Sequence, residues 1–228
     1  MNMKGMAAMK IYAVNGSPRK NGTTATLLEN ALAGARSAAK DAETEIINLY
    51  DYTYKGCISC YSCKRKGSPS LYRCAVRDEL TPVLEKISYA DGVIFGTPIY
   101  LRGITSGMHA LIERLCFPYL SLNKRRESLA PRKVKTGAIY TMNMSPEQLG
   151  DKWDIIYEPL LNTKSGFLES IFGSYEKLYV CNTPHFDDDY SNYEAAIVDA
   201  GAKAKARREQ FPIDMVKAFE MGARIATE

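Results

Sequence analysis

The chain has 228 residues, with 30 basic and 26 acidic side chains and a formal net charge of +4. This excess is too slight to argue for a nucleic-acid partner, although it suits anionic cofactors and cosubstrates. No apolar run approaches the roughly 20 residues that cross a bilayer, so no membrane partner is expected. Residues 1–8 are rich in methionine and lack the features of a signal peptide, which predicts a cytoplasmic protein. In that compartment the six cysteines are expected to be thiols or ligands rather than structural disulfides.

The chain opens with a predicted strand, a polar loop and a predicted helix. Residues 11–14 (IYAV) are a short apolar run of β-formers, which predicts a strand buried on both faces. Residues 15–18 (NGSP) end the strand with turn chemistry. Helical periodicity then places apolar residues on one stripe: Leu28, Ala31, Leu32, Ala35 and Ala39. Because this order aims the free N–H groups of the helix start out of the loop, we expect an anion site there.

The loop between this strand and helix is a candidate phosphate cradle. Its candidate ligands carry hydroxyl, amide or positively charged groups: Ser17, Arg19, Asn21, Thr23 and Thr24. Gly16 and Gly22 allow the backbone to approach a ligand closely. The loop contains neither G-x-x-x-x-G-K-[ST] nor G-x-G-x-x-G, the two commonest nucleotide loops. The alternative is an ordinary turn between a strand and a helix that happens to be rich in small polar residues.

This loop, GSPRKNGTT, resembles the phosphate loop of the flavodoxin-like NAD(P)H-dependent FMN reductases, in the branch that includes the iron–sulfur flavoproteins. The resemblance covers nearly the whole chain and continues into FDDDYSNYE and RREQFPIDMVKAFEMGARIA near its end. It implies FMN as the cofactor, with the flavin phosphate held by the candidate ligands of the loop. It also implies that NAD(P)H reaches the flavin transiently, without a dinucleotide-binding domain of its own.

Predicted strands and helices alternate through the rest of the chain. Further strands are predicted at residues 45–49, 91–95, 136–142 and 177–181. Helices are predicted after an N-cap at Asp78, over 108–115, over most of 145–173, and from about Tyr193, interrupted at Pro212. In the last helix Val216, Phe219 and Ala223 are expected to face inward.

This alternation predicts an α/β fold. We expect a flavodoxin-like, doubly wound, five-stranded parallel sheet of order 2-1-3-4-5 with helices on both faces. The chain is interpreted as one domain over residues 1–228, with a cysteine-rich excursion at 50–77. That topology places ligands beyond the carboxyl ends of the strands, at the switch point between the first strand and the third.

A second loop at this switch point reads TPIYLRGITSG from Thr97 to Gly107. Taken alone, its tyrosine is expected only to pack on the surface. The loop and the helix after it resemble the isoalloxazine-binding segment of the same family, which implies contacts to the flavin ring from Pro98, Ile99, Tyr100 and Gly103. Residues 141–145 (TMNMS) are expected to form the third wall of the site.

Four cysteines of the excursion carry the other specific signal: Cys57, Cys60, Cys63 and Cys74. The first three recur every third residue, which lets a tight loop direct successive sulfurs at one centre, as in [4Fe–4S] ligation. GCISCYSC…CAVRDEL also resembles the iron–sulfur flavoprotein motif, although ten residues separate the third cysteine from the fourth. Three alternatives stay open: an iron–sulfur cluster, zinc held by four thiolates, and free or redox-active thiols. We expect the excursion to lie beside the flavin or to meet a neighbouring subunit there.

The leading functional hypothesis is an FMN-dependent oxidoreductase that passes reducing equivalents from NAD(P)H to a quinone, a flavin or a similar acceptor. No catalytic protein residue is named, because the cofactor carries the chemistry. The alternative is an electron carrier that relays electrons between ferredoxin and FMN through a cluster on the four cysteines. A flavin-binding regulatory module is a third hypothesis. The resemblance also implies a homodimer or homotetramer.

Overall fold

The computed structural model of the chain describes residues 8–123, 127–149, 166–186 and 189–227. The strands are β1 (Lys10–Asn15), β2 (Glu43–Asn48), β3 (Gly92–Tyr100), β4 (Gly103–Ile104), β5 (Lys135–Thr141) and β6 (Glu176–Val180). The helices are α1 (Thr23–Ala38), α2 (Thr81–Ser88), α3 (Ser106–Cys116), α4 (Pro146–Leu149), α5 (Phe167–Phe172), α6 (Ala200–Glu209) and α7 (Phe211–Ile225). The central part of the helix predicted over 145–173 lies outside the described residues. The one-domain interpretation stays a prediction.

The five parallel strands lie in the order β2-β1-β3-β5-β6, and the short β4 pairs with β3 in the antiparallel direction. This is the predicted 2-1-3-4-5 order, so the fold class is confirmed. Side chains alternate along β1: Ile11 and Ala13 pack with α1 and α7, whereas Tyr12 and Val14 pack with α2 and α3. Helices therefore cover both faces of the sheet, as the buried apolar strands require.

The third strand is longer than predicted. The sequence predicts a strand over 91–95, but β3 continues to Tyr100 and turns back into β4. The reason is that β3 pairs with β1 only as far as Gly96, whereas it pairs with β5 as far as Pro98. The proline therefore lies where one side of β3 has no neighbouring strand, which is a position that tolerates a missing N–H donor.

Two helix boundaries also differ from the prediction. Helix α2 begins at Thr81 rather than directly after Asp78, and no side chain caps its start. The Asp78 carboxylate instead accepts hydrogen bonds from Leu80 N at 3.1 Å and from the guanidinium of Arg114. The tail becomes helical at Ala200 rather than near Tyr193, after a short 3-10 turn over Tyr190–Asn192.

The inward face of the last helix was predicted incorrectly in part. Val216 is 57% exposed, and Phe219 and Ala223 are only half-buried. The buried residues of α7 are instead Asp214, Ala218, Met221, Gly222 and Ile225. Pro212 lies in the first turn of α7, where its missing N–H removes no helical bond, so the break falls at Gln210. Gly222 lies where α1 approaches very closely, since a Cβ atom there would lie 1.7 Å from the backbone oxygen of Ala31.

A buried arginine contacts both ends of the excursion at 50–77. Its only regular elements are the 3-10 turns Leu49–Asp51, at its start, and Ser62–Lys64. Arg114 of α3, 2% exposed, donates to the backbone oxygens of Lys55 and Val76 at 3.0 and 3.1 Å. Both ends of the excursion are therefore fastened to the same guanidinium. Among the described residues, none of the helices combines the length and apolar character needed to cross a membrane.

Candidate cofactor site

A cavity of about 660 Å³ lies at the carboxyl ends of the parallel strands. Four loops supply its walls: those after β1, β3, β5 and β6. The residues that line it are Ser17, Arg19, Gly22, Thr23, Thr24, Pro98, Ile99, Tyr100, Leu101, Thr141, Met142, Asn143, Thr183, Pro184, His185 and Phe186. The position is the one that the topology rule assigns to ligands in doubly wound sheets.

The first wall is the loop from β1 to α1, and its shape is set by short-range hydrogen bonds. Ser17 N donates to Asn15 Oδ1 at 3.0 Å, and Arg19 N donates to Ser17 Oγ at 3.2 Å. Helix α1 begins at Thr23 with Gly22 as N-cap, and no side chain caps it. The first N–H groups of the helix are thus left for a ligand, which is the arrangement that binds phosphate.

The first and second walls are tied together at their bases. Gly16 N donates to Gly96 O at 2.7 Å, and Thr105 Oγ1 donates to Gly16 O at 2.8 Å. Thr24, only 3% exposed, shares a hydrogen bond of 2.8 Å between its hydroxyl and that of Thr141 on the third wall. These buried contacts keep the loops in place without a ligand, so the cavity is largely preformed.

Most of the predicted cofactor ligands meet at this cavity. Those that line it are Ser17, Arg19, Thr23, Thr24, Pro98, Ile99 and Tyr100. Asn21 and Gly103 do not line it: Asn21 is exposed on the loop, and Gly103 pairs with Tyr100 in the hairpin of β3 and β4. Arg19 Nη2 donates to His185 O at 3.0 Å, so the arginine also connects the first wall to the last. The individual roles of these residues in binding stay predictions.

The turn of the β3–β4 hairpin forms a strained rim. Leu101 and Arg102 have φ values of 48° and 70°, a left-handed conformation that residues with a side chain seldom adopt. Two-residue hairpin turns of this kind normally use asparagine and glycine. The leucine is also fully exposed, at 103%. Strain of this sort is found where a loop serves a binding site, and this loop borders the cavity.

The fourth wall, after β6, was missed by the sequence analysis. Thr183 N donates to Met142 O at 2.9 Å, which joins this wall to the third. Phe186 stacks on Tyr193, with ring centroids 3.7 Å apart and planes within 3°. The signal was available, because residues that directly follow a parallel strand reach the same edge of the sheet.

One buried polar atom of the cavity wall has no partner among the described residues. The third wall contains Asn143, whose side-chain oxygen Oδ1 is buried and forms no hydrogen bond with the part of the chain that the structure describes. A buried acceptor without a donor is unfavourable by about 1–3 kcal/mol, so such an atom marks a place where a ligand supplies the missing donor. The flavin ring of FMN has N–H groups that can donate, and the start of a helix is suited to the FMN phosphate. The cavity therefore fits FMN.

The four cysteines of the excursion are not assembled as a metal site. Cys57 and Cys60 are exposed, Cys63 is buried, and Cys74 is half-buried. The Cys74 sulfur accepts a hydrogen bond from Arg114 Nε at 3.3 Å. Within the described parts of the chain, no three Cys, His, Asp or Glu side chains are grouped so that they could hold a metal ion. Cys57, Cys60, Cys63 and Cys74 as ligands of a cluster or of zinc therefore stay a prediction.

The thiols differ in their chemistry. Hydrogen bonds from the backbone and side chain of Ser62 lower the pKa of Cys60, whereas burial raises the pKa of Cys63. Burial also raises the pKa of Cys116 to about 12. Because the thiolate is the nucleophile, these directions make Cys60 the more reactive thiol of the pair Cys60 and Cys63.

The excursion does not reach the cavity within one chain. None of the described residues of 50–77 lines it. The segment starts at the cavity's edge of the sheet, where the Tyr54 hydroxyl donates to Gly107 O at 3.0 Å. It then follows α3 away from that edge, since Cys57 N donates to Glu113 Oε2 at 2.9 Å. A meeting with the site of a neighbouring subunit stays a prediction.

A doubly wound parallel sheet with helices on both faces and a cavity at its carboxyl edge is the architecture of the flavodoxin-like class of protein. Within that class the chain belongs to the NADPH-dependent FMN reductase family, whose sequence profile matches residues 9–142. The matched region includes the first three walls of the cavity almost completely. The resemblance drawn from the phosphate loop is thereby confirmed, and so is FMN as the cofactor that the family implies.

Curated relatives carry the name of the branch that the sequence resembles. An iron-sulfur flavoprotein of Methanocaldococcus jannaschii is 36% identical over 106 residues, which are 46% of this chain and 51% of the relative. One of Archaeoglobus fulgidus is 39% identical over 106 residues, or 46% of this chain and 48% of the relative. The chain thus matches about half the length of these curated relatives.

Solved structures are similar over almost the whole chain. The NAD(P)H:quinone oxidoreductase from Methanothermobacter marburgensis has a TM-score of 0.64 at 15% identity, covering 97% of this chain and 99% of that one. An azoreductase from Bacillus anthracis has a TM-score of 0.63 at 13% identity, covering 95% and 99%. At these identities the likeness establishes the fold alone.

Proposed function

We propose that the chain is an FMN-dependent reductase that takes reducing equivalents from NAD(P)H and delivers them to a small acceptor. The observation that carries this proposal is the preformed cavity, which combines an uncapped helix start with a buried amide oxygen that lacks a donor. Bound FMN would supply the redox chemistry, and the protein would bind and orient it. Family membership supports the same reaction class.

In this proposal the first wall holds the phosphate and the others hold the ring. The phosphate would bind at the start of α1, with hydroxyls from Ser17, Thr23 and Thr24 and the charge of Arg19. Pro98, Ile99 and Tyr100 would border the ring on one side, and the third and fourth walls would border it on the other. Tyr100 is 49% exposed, so the ring would remain open to NAD(P)H and to an acceptor.

Flavin released from the purified protein is expected to be FMN rather than FAD. The phosphate loop would close around one terminal phosphate, and the family to which the chain belongs is that of the NADPH-dependent FMN reductases. Mass spectrometry of the heat-released cofactor identifies it, and anaerobic addition of NADPH or NADH should bleach the flavin absorbance. FAD as the dominant species would contradict the cofactor assignment. A flavin that neither nucleotide bleaches would contradict the reductase and favour a binding module.

Arg19→Ala is expected to weaken FMN binding roughly tenfold or more. A charged hydrogen bond to phosphate contributes about 1.5–3 kcal/mol, and the arginine lines the cavity. Lys20→Ala is the matched control, because this neighbouring cation pairs with Asp51 and does not line the cavity. Fluorescence quenching titrations of the apoprotein measure both affinities. Equal FMN affinities of Arg19→Ala and Lys20→Ala would show that Arg19 does not bind the phosphate.

The acceptor and the assembly belong to the proposal as well. We propose a quinone, a flavin or another small planar acceptor, in a cytoplasmic homodimer or homotetramer. The similarity to a quinone oxidoreductase and an azoreductase in fold supports the choice of a planar acceptor. Steady-state reduction of quinones and azo dyes tests the acceptor, and light scattering tests the assembly. Iron and sulfide analysis of anaerobically purified protein tests the electron-carrier alternative suggested by the names of the relatives.

A further inference from the structure

A buried lysine lies directly behind two walls of the cavity. Lys203 is 6% exposed and is the only buried residue among those of α6, an otherwise solvated helix. Its ammonium donates to the backbone oxygen of Asn143 and to Asn182 Oδ1, the latter at 3.1 Å. The first acceptor belongs to the third wall, and the second lies one residue before the fourth wall begins. Lys203 therefore fastens both walls from outside the cavity.

These two walls are already joined by their own backbones. Asn182 N donates to Met144 O at 2.8 Å, and Thr183 N donates to Met142 O at 2.9 Å. Asn182 adopts a left-handed conformation with φ of 53°, which turns its side chain and backbone into this network. Because the backbone bonds hold the walls together, a buried ammonium is not required for that purpose alone. A neutral side chain would avoid the cost of burying a charge.

The charge on Lys203 is only partly compensated. Among the described residues its two hydrogen-bond acceptors are neutral oxygens. The carboxylate that interacts with it, Asp199, lies at the exposed N-cap of the same helix, and the thiol of Cys181 also interacts with it. Asp199 Oδ1 also accepts a hydrogen bond from Ala202 N, as the N-cap of α6. Burial lowers the pKa of Lys203, and the charge of Asp199 opposes that change. A cation in this position makes the neighbouring cavity more favourable for negative charge.

We propose that Lys203 is a positioning residue that raises the reduction potential of the FMN bound in the cavity. Adding two electrons and one proton to the flavin leaves it with one more negative charge than the oxidised form. A buried positive charge behind the cavity wall stabilises that reduced form more than the oxidised form, so the protein retains the ammonium despite its burial. This inference rests on the proposed FMN site and adds to it a specific role for α6.

The midpoint potential of bound FMN in Lys203→Gln tests the proposal. Glutamine can still donate to the two oxygens but carries no charge. In Lys203→Gln we expect the affinity for reduced FMN, relative to the affinity for oxidised FMN, to fall about tenfold. This change corresponds to a shift of the midpoint potential of about −30 mV for a two-electron couple. Lys203→Arg keeps the charge and is expected to stay near the wild-type potential. Lys205→Met is the matched control on the same helix, where the side chain is 68% exposed.

Each outcome has a distinct meaning. A lower potential in Lys203→Gln, with Lys203→Arg and Lys205→Met at the wild-type value, supports the inference. An unchanged potential in Lys203→Gln overturns it, as does an equal fall in the glutamine and arginine variants, because shape rather than charge would then be responsible. A loss of affinity that is the same for both redox states also overturns it. Failure of the wild-type protein to bind FMN would instead refute the proposed function.

Discussion

Gly222→Ala is expected to force α1 and α7 apart and to destabilise the fold by on the order of 3 kcal/mol or more. A Cβ atom at this position would lie 1.7 Å from the backbone oxygen of Ala31 on α1. The relation is reciprocal, since a Cβ at Gly34 would lie 1.9 Å from the backbone oxygen of Phe219 on α7. Neither obstacle is a side chain that can rotate away. One of the two helices must therefore move and give up buried contacts with the sheet.

The sign of this effect makes it a sharp test. In an unobstructed helix, replacing glycine by alanine is favourable by up to about 1 kcal/mol. Gly201→Ala in α6 is the matched control, because its Cβ would meet no backbone atom and only Asp199 Oδ1, at 3.2 Å. Urea unfolding followed by circular dichroism measures both variants. If Gly222→Ala were as stable as Gly201→Ala, the close packing of α1 and α7 would be wrong.

Arg114→Leu is expected to destabilise the fold by about 3 kcal/mol and to release the excursion at 50–77. Its side chain is fully buried and forms an ion pair of 2.6 Å with Asp78, besides its bonds to both ends of the excursion. Removing one member of a buried pair leaves the other charge without compensation, at a cost of about 3–5 kcal/mol. Because Asp78 is 19% exposed in its side chain, the lower end of that range applies.

Two measurements separate this effect from an ordinary surface change. Arg36→Ala is the control, since its 43% exposed side chain pairs with Glu29 and is expected to contribute less than about 1 kcal/mol. Limited trypsin digestion should cleave the basic excursion much faster in Arg114→Leu than in the wild type. Unchanged stability and unchanged cleavage in Arg114→Leu would show that the arginine does not fasten the segment.

The same pair predicts a dependence on pH. Burial alone would raise the pKa of Asp78, but the hydrogen bonds and charge of Arg114 outweigh it and hold the pKa below the ordinary carboxyl value. A lowered pKa in the folded state means that the stabilisation is complete above the unfolded value, about 3.9, and is lost as the pH falls below it. The difference in stability between the wild type and Arg114→Leu should therefore shrink on acidification below about pH 4.

Local sequence patterns determined the order of the elements and the first walls of the site. The apolar run at 11–14, the turn residues after it and the helical stripe from Leu28 act over short distances, so they could be interpreted without any knowledge of the fold. The alternation of strands and helices then fixed the parallel sheet, because the handedness of each crossover is nearly invariant. That topology was enough to bring the phosphate loop and the Thr97–Gly107 loop to one edge.

Tertiary structure decided the features that depend on partners far apart in the chain. Helical periodicity favoured large apolar residues on the inner face of α7, whereas the close approach of Gly34 required the small ones, Ala218 and Gly222. The spacing of the cysteines gave no indication of the contacts of Arg114, which binds Cys74 and both ends of the excursion along α3. In the sequence Lys203 is one of several basic residues of α6. Its role depends on burial behind the loops of β5 and β6, and burial is a property of the assembled fold rather than of the local sequence.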